Sequence, residues 1–187
     1  MGLEDAVGPL ADGGADPRPR TGEIAPQGEA LRQAMTRLSA GVCVVTASWQ
    51  GRLHAMTATA VCSVSLDPPL VLVCVGRASR FHAAVLGAGS WAVSVLAEDQ
   101  VDVARHFADR GRDLLTQFAP VPHTRGSATD ASLVDGALAW LECATWATHD
   151  GGDHTIVVGR VLDLGADPSR SPLLFHRGGY GLRPVEG

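Results

Sequence analysis

Apolar residues in this chain recur at every second position or in short valine-rich runs, the pattern of half-buried and fully buried strands. Residues 42–48, 53–57, 58–66 and 70–76 read as successive strands, punctuated by Gln50-Gly51 and by Asp67-Pro68-Pro69. Residues 91–96 form another strand, residues 137–148 and 154–164 form two long ones, and residues 173–176 form the last. Helical spacing is rarer. Leu31, Met35 and Leu38 share one face of a short helix that Gly41 ends. Ser79 reads as the N-cap of a second helix carrying Phe81, Ala84 and Val85 inward. Residues 99–109 place Val103, Ala104 and Phe107 on one helical face, and residues 120–130 read as irregular. Mostly consecutive strands, short turns and few helices predict an antiparallel barrel rather than a parallel α/β sheet.

Composition sharpens this picture. At 187 residues, 45% apolar and 19% charged, the chain can bury the core of one domain. Residues 1–30 hold six glycines and four prolines without apolar periodicity, so they are expected as a disordered tail before a domain over 31–187. The net charge of −5 and the lack of a basic stripe argue against a nucleic-acid surface. No apolar run reaches the ~18 residues that a membrane helix needs. Cys43, Cys62, Cys74 and Cys143 form no C-x-x-C pair, and the N-terminus lacks a secretory pattern. The cysteines are therefore expected as small buried hydrophobes in a reducing cytoplasm. All fifteen cationic residues are arginine, with no lysine or asparagine. Any phosphate site must then use arginine, hydroxyls and backbone N–H groups, and a P-loop lysine or lysine Schiff base is excluded.

Four local patterns bear on chemistry. Gly87-Ala88-Gly89-Ser90-Trp91-Ala92 matches G-x-G-x-x-A, but it follows a predicted helix and precedes a strand, so it reads as a helix C-cap and turn rather than a dinucleotide fingerprint. From Gly76 to His82 a strand meets a hydroxyl flanked by Arg77 and Arg80. This is either an anion site or an ordinary capped surface helix. Met56 to Ala60 with Ser63-Val64-Ser65 offers small and hydroxylated positions, suited to a flat ligand or to a solvent-facing strand. Asp153-His154 follows Gly151-Gly152; the histidine suits ligand contact, while strand alternation argues against the pair acting as a dyad. The histidines lack metal spacing, and no G-x-S-x-G nucleophile elbow occurs.

Taken in order, residues 31–46 (LRQAMTRLSAGVCVVT), 56–75 (MTATAVCSVSLDPPLVLVCV), 152–161 (GDHTIVVGRV) and 172–180 (PLLFHRGGY) resemble the flavin reductase family with the FMN-binding split-barrel fold. These are the reductase components of two-component flavin-dependent monooxygenases. The resemblance implies a mainly β, six-stranded antiparallel Greek-key split barrel with a few flanking helices, forming a homodimer with flavin near the subunit interface. It implies that Thr57, Ala58, Thr59, Ala60, Ser63, Val64 and Ser65 line the flavin, with Cys74 and Val75 beside the ring system. By the same resemblance Ser79, Arg80, Phe81 and His82 hold the phosphate end, His154 meets the nicotinamide, and Arg177 and Tyr180 close the site. Where the family often carries T-A-N-S, this chain has Thr59 and Ala60 in place of the last two residues, so an amide contact is replaced by a hydroxyl. The implied reaction is hydride transfer from NADH or NADPH to FAD or FMN, with reduced flavin passing to a partner monooxygenase. A flavin- or haem-binding split-barrel protein without reductase activity, and a pyridoxamine-phosphate-oxidase-like protein, are the alternatives.

Overall fold

The computed structural model describes residues 26–181. The fold comprises α1 (Pro26–Met35), β1 (Ala40–Gly41), β2 (Cys43–Trp49), β3 (Arg52–Ala58), β4 (Val61–Leu66), β5 (Pro69–Gly76) and α2 (His82–Ala88). These are followed by β6 (Ser90–Val95), α3 (Val101–Ala108), β7 (His123–Arg125), β8 (Ser132–Val134), β9 (Ala139–Gly151) and β10 (His154–Ala166). The last elements among the described residues are β11 (Leu174–His176) and β12 (Gly179–Tyr180). Seven strands form one sheet in the order β3-β2-β6-β9-β10-β5-β4, paired antiparallel throughout. Its two outermost strands, β3 and β4, are neighbours in the chain, separated only by Thr59 and Ala60.

β2 explains how two apolar layers share one sheet. Cys43, Val45 and Ala47 face a cluster containing Val73, Val75, Phe81, Trp91 and Val157. Val42 and Val44 instead join a cluster with Leu96, Ala104, Phe107 and Leu173. Alternate side chains leave opposite faces of a strand, so a strand covered on both faces must read as a continuous apolar run. Thr46, buried within it, donates its hydroxyl to the Ser132 carbonyl at 2.6 Å. The long β9–β10 hairpin changes register between Val158 and Gly159 and again between Val161 and Asp163. At Gly159 the chain lies so close to Trp91 that a methyl group would stand 2.5 Å from the indole Cζ2. Gly89 caps α2 in the left-handed conformation, φ 68°, so the G-x-G-x-x-A segment is a helix end and turn.

Several expectations change. Residues 26–30 belong to α1 rather than to a tail, while the expectation for residues 1–25 lies outside the described residues. α1 buries no residue; Leu31, Met35 and Leu38 are all exposed, and Leu38 falls beyond the helix. The predicted strand over 58–66 is broken at Thr59–Ala60, where the chain passes from one sheet edge to the other. The irregular 120–130 stretch contains β7, paired with β8. Ser79 does not cap α2, whose N-cap position is Phe81; the Ser79 hydroxyl instead accepts from the Phe81 N–H at 3.2 Å in a turn before the helix. Cys43 and Cys143 are buried thiols, pushed up to about 11 and about 12, by burial in both and by the nearby Glu142 for Cys143. Cys62, by contrast, is exposed and Cys74 is half-buried, so the expectation of four buried cysteines holds for two.

Gly159→Ala should lower stability by about 1–3 kcal/mol in urea unfolding, because the added carbon overpacks against the Trp91 ring and the Cys143 Cβ. A pH dependence is also expected. Burial lowers the pKa of His82, and the Arg77 charge lowers it further. Burial lowers that of His54 as well, opposed by a backbone hydrogen bond at Trp49 and assisted by Arg52. Such histidines take up protons more readily when unfolded, so their contribution is complete above the ordinary value of 6.5 and is lost as pH falls below it. Tm should therefore fall between about pH 7.5 and about pH 5.5, and less steeply for a variant carrying His54→Gln and His82→Gln.

Candidate active site

The tip of the β9–β10 hairpin is fastened to the end of β5. Arg77 donates from Nε to the Gly152 carbonyl at 3.0 Å and from Nη2 to Asp150 Oδ1 at 3.3 Å. Its own N–H reaches the Asp153 carbonyl at 2.9 Å. Gly152 takes a positive φ of 79°, which a side chain would strain, and this turn keeps Asp153 outside the strand. The Asp153 carboxylate consequently reaches His154 Nδ1 at 2.7 Å. Strand alternation does not separate the pair, because only His154 occupies a strand position. The hydrogen bond from His154 holds the Asp153 carboxyl below its usual range. With Nδ1 engaged, Nε2 is the ring atom left for a ligand, and it faces Gly76. A methyl group at Gly76 would stand 3.6 Å from it.

Beside this imidazole lies a cavity of about 620 Å³, within the size range of cofactor pockets. Met56 and Thr57 contribute from β3, and Gly76, Ala78, Ser79 and Arg80 from the segment joining β5 to α2. Phe107 and Ala108 at the end of α3, then Arg110 and Arg112, form the facing wall, with Asp153 and His154 at the hairpin. Thr57 donates its hydroxyl to the Ala104 carbonyl at 2.7 Å, tying β3 to α3. Ser79 is held by its N–H to the Gly76 carbonyl, 2.9 Å. Arg112 crosses from the loop to β3, donating to the Ala55 carbonyl, to Gln117 Oε1 at 3.1 Å and to the Asp109 carbonyl at 2.6 Å. Its guanidinium also lies 5.7 Å from the Phe107 ring centroid. Burial lowers the Arg112 pKa, as does the neighbouring Arg80, while Asp109 acts in the opposite sense. Three arginines thus face one carboxylate, and that carboxylate is bound to His154.

The structure brings Thr57, Ser79, Arg80 and His154 to one cavity. The other expected positions lie around it. Ala58, Val75 and Phe81 are buried in the core and do not line the cavity. Thr59 and Ala60 are exposed at the β3–β4 junction, Ser63 and Val64 are exposed on β4, and Ser65 and the β5 residue Cys74 are half-buried. His82 bonds Thr155 through Nε2 at 2.8 Å. Arg177, at φ 49°, occupies the β11–β12 turn, and Tyr180 packs on Phe175 with ring centroids 5.2 Å apart. Sequence reading gave no site role to Phe107, Ala108, Arg110 or Arg112 and set Asp153 aside, while Met56, Gly76 and Ala78 lie in segments it singled out without assigning them a contact. The stretch Asp109-Arg110-Gly111-Arg112-Asp113 carries the alternating charge of any solvated loop, and its link to Ala55 joins residues far apart in sequence.

The residues present suit a flavin and a nicotinamide: small Gly76 and Ala78 leave room for flat rings, and Ser79 with the arginines supplies donors for phosphate. No helix among the described residues is long and apolar enough to cross a membrane. Residues 35–182 match the model of the flavin reductase like domain. The chain is 41% identical over 151 residues to an NADH-dependent FAD reductase of Streptomyces globisporus, covering 80% of this chain and 82% of that protein. It is 38% identical over 152 residues to the reductase component of 4-hydroxyphenylacetate 3-monooxygenase from Thermus thermophilus, covering 81% and 94%. Among solved structures, the flavin reductase component of a bacterial two-component tryptophan halogenase superposes with a TM-score of 0.78 at 45% identity, covering 82% of this chain and 96% of that one. The Streptomyces globisporus NADH:FAD oxidoreductase, solved with NAD and FAD fragments, superposes with a TM-score of 0.79 at 38% identity, covering 89% and 100%. With that match and this cavity, the chain belongs to the flavin reductase like domain family.

Proposed function

We infer that this chain is an NADH-dependent flavin reductase that supplies reduced flavin to a separate monooxygenase. The observation that carries this reading is that one cavity is lined both by His154, oriented by Asp153, and by the phosphate-suited Ser79 and Arg80. Nicotinamide and flavin supply the redox chemistry: a hydride leaves nicotinamide C4 for flavin N5, and with one solvent proton NADH and flavin become NAD⁺ and reduced flavin. The protein's share is binding, orientation and exclusion of water. His154 presents Nε2 to the nicotinamide, and Asp153 keeps the ring turned toward Gly76. Backbone N–H groups of Ser63–Ser65 are the donors we assign to the flavin edge that gains charge on reduction. Arg177 and Tyr180 remain our candidates for closing the site from the β11–β12 hairpin.

The fold we infer is the six-stranded split barrel of this family. β3 and β4, the two edges of the sheet, are joined through Thr59–Ala60, and counted as one bent strand they leave six. The homodimer is supported by exposed apolar side chains on strands of one sheet: Leu66 and Val64 on β4, Leu162 and Leu164 on β10, and Trp146 on β9. The cytoplasmic setting is supported by the free thiols of Cys43, Cys62, Cys74 and Cys143.

NADH oxidation is expected to rise with added FAD or FMN over many turnovers, with NADPH as the comparison donor; bound flavin that NADH does not bleach would instead indicate a carrier. His154→Ala should raise the NADH KM about tenfold and leave flavin affinity within about twofold, and unchanged NADH kinetics would remove His154 from its role. Sedimentation equilibrium should give twice the 19.4 kDa chain mass, and Leu66→Asp with Leu164→Asp should return it to one chain mass.

A further inference from the structure

The cavity has two chemically different ends. Gly76 stands against the His154 ring, whereas Arg80 donates from Nη1 to the Arg112 carbonyl at 3.2 Å. The segment between them therefore leads from the imidazole to the arginine loop, a span of at most about 14 Å when extended. At the arginine end the three guanidinium groups are not equivalent. Arg112 has every nitrogen committed to a protein acceptor and lies over Phe107, so its work is to fasten the loop to β3. Arg80 is anchored through one nitrogen and keeps the rest of its fork. Arg110 is exposed, lines the cavity, and has no hydrogen bond or ion pair among the described residues.

The nearby carboxylates form no ion pair with Arg110 among the described residues. Asp109 Oδ1 accepts from the Gly111 N–H at 2.8 Å. Asp113 accepts from the Leu115 N–H at 2.9 Å and the Thr116 hydroxyl at 3.2 Å. Asp153 is bonded to His154 at 2.7 Å. Arg110 is thus an uncommitted fork on a loop that Arg112 fixes in place, beside a second arginine and a serine hydroxyl. Ser79 and Arg80 offer donors suited to one phosphate, and a further planar fork beside them suits a second phosphate that follows the first.

On the flavin reductase reading, on which this inference rests, we propose that Arg110 holds the second phosphate of a dinucleotide diphosphate. The site then favours dinucleotide over mononucleotide ligands. The test is equilibrium binding without turnover: FAD and FMN by quenching of flavin fluorescence, and NAD⁺ by calorimetry, for the wild type and for Arg110→Gln. The FAD dissociation constant should rise about tenfold while that of FMN stays within about twofold. A selective loss of NAD⁺ affinity instead assigns the same contact to the nicotinamide dinucleotide. Equal losses for FAD and FMN, or no loss for FAD and NAD⁺, overturn the proposal. Because Arg110 makes no hydrogen bond or ion pair among the described residues, an unchanged Tm accompanies the expected result, and Arg110→Lys, which keeps the charge without the fork, should fall between wild type and Arg110→Gln. A wild-type chain that binds neither flavin overturns the reductase reading and this proposal together. A wild type that binds FAD and is indifferent to Arg110→Gln overturns only the proposal.

Discussion

Gly76 sits directly across an antiparallel ladder from His154, and the register behind that pair, running to Leu70 opposite Arg160, places the imidazole at the start of the strand-to-helix segment. A shift of one residue would turn His154 to the other face of the sheet and carry Thr155, Val157 and Gly159 out of their packing. The apolar core resists that shift, because Val157 is fully buried and Gly159 lies against Trp91. Arg77 holds the same register from outside by gripping the hairpin tip. The geometry of the candidate site is therefore set by core packing and one surface arginine together.

Charge is distributed along the cavity in the same economical way. The acids on its rim are turned to backbone N–H groups of their own loops or to His154, and Arg112 is absorbed into structure. What remains facing the cavity is an oriented imidazole at one end and uncommitted guanidinium groups at the other. Such an arrangement offers cationic donors to an anionic group and an oriented imidazole beside them. It also suits a ligand that must leave, since the walls meet it mostly with exposed groups rather than by burying it.

Much of this was legible from residue order alone. Period-two runs located every long strand, Gly89 marked the end of α2, and Ser79, Arg80 and His154 were placed at the site from short motifs. Errors arose where a local rule met a nonlocal contact. Asp153 was set aside by strand alternation, yet the positive φ of Gly152 lifts it out of the strand and onto the ring. Leu31, Met35 and Leu38 obey helical spacing, but among the described residues nothing buries them. Arg110 and Arg112 carry no signal at all, because a charged loop looks the same whether it meets water or a cavity.

By itself the sequence determined the all-antiparallel character of the sheet, the family and the chemical types available for phosphate, since these depend on side-chain alternation, motif order and composition. It determined that arginine, and not lysine, would carry every fixed positive charge. Tertiary structure alone decided which arginines are structural and which are open, and that Asp153 orients His154. The reason is that these outcomes hang on contacts between distant segments: Arg112 with Ala55, Arg77 with Gly152, and Gly76 with His154.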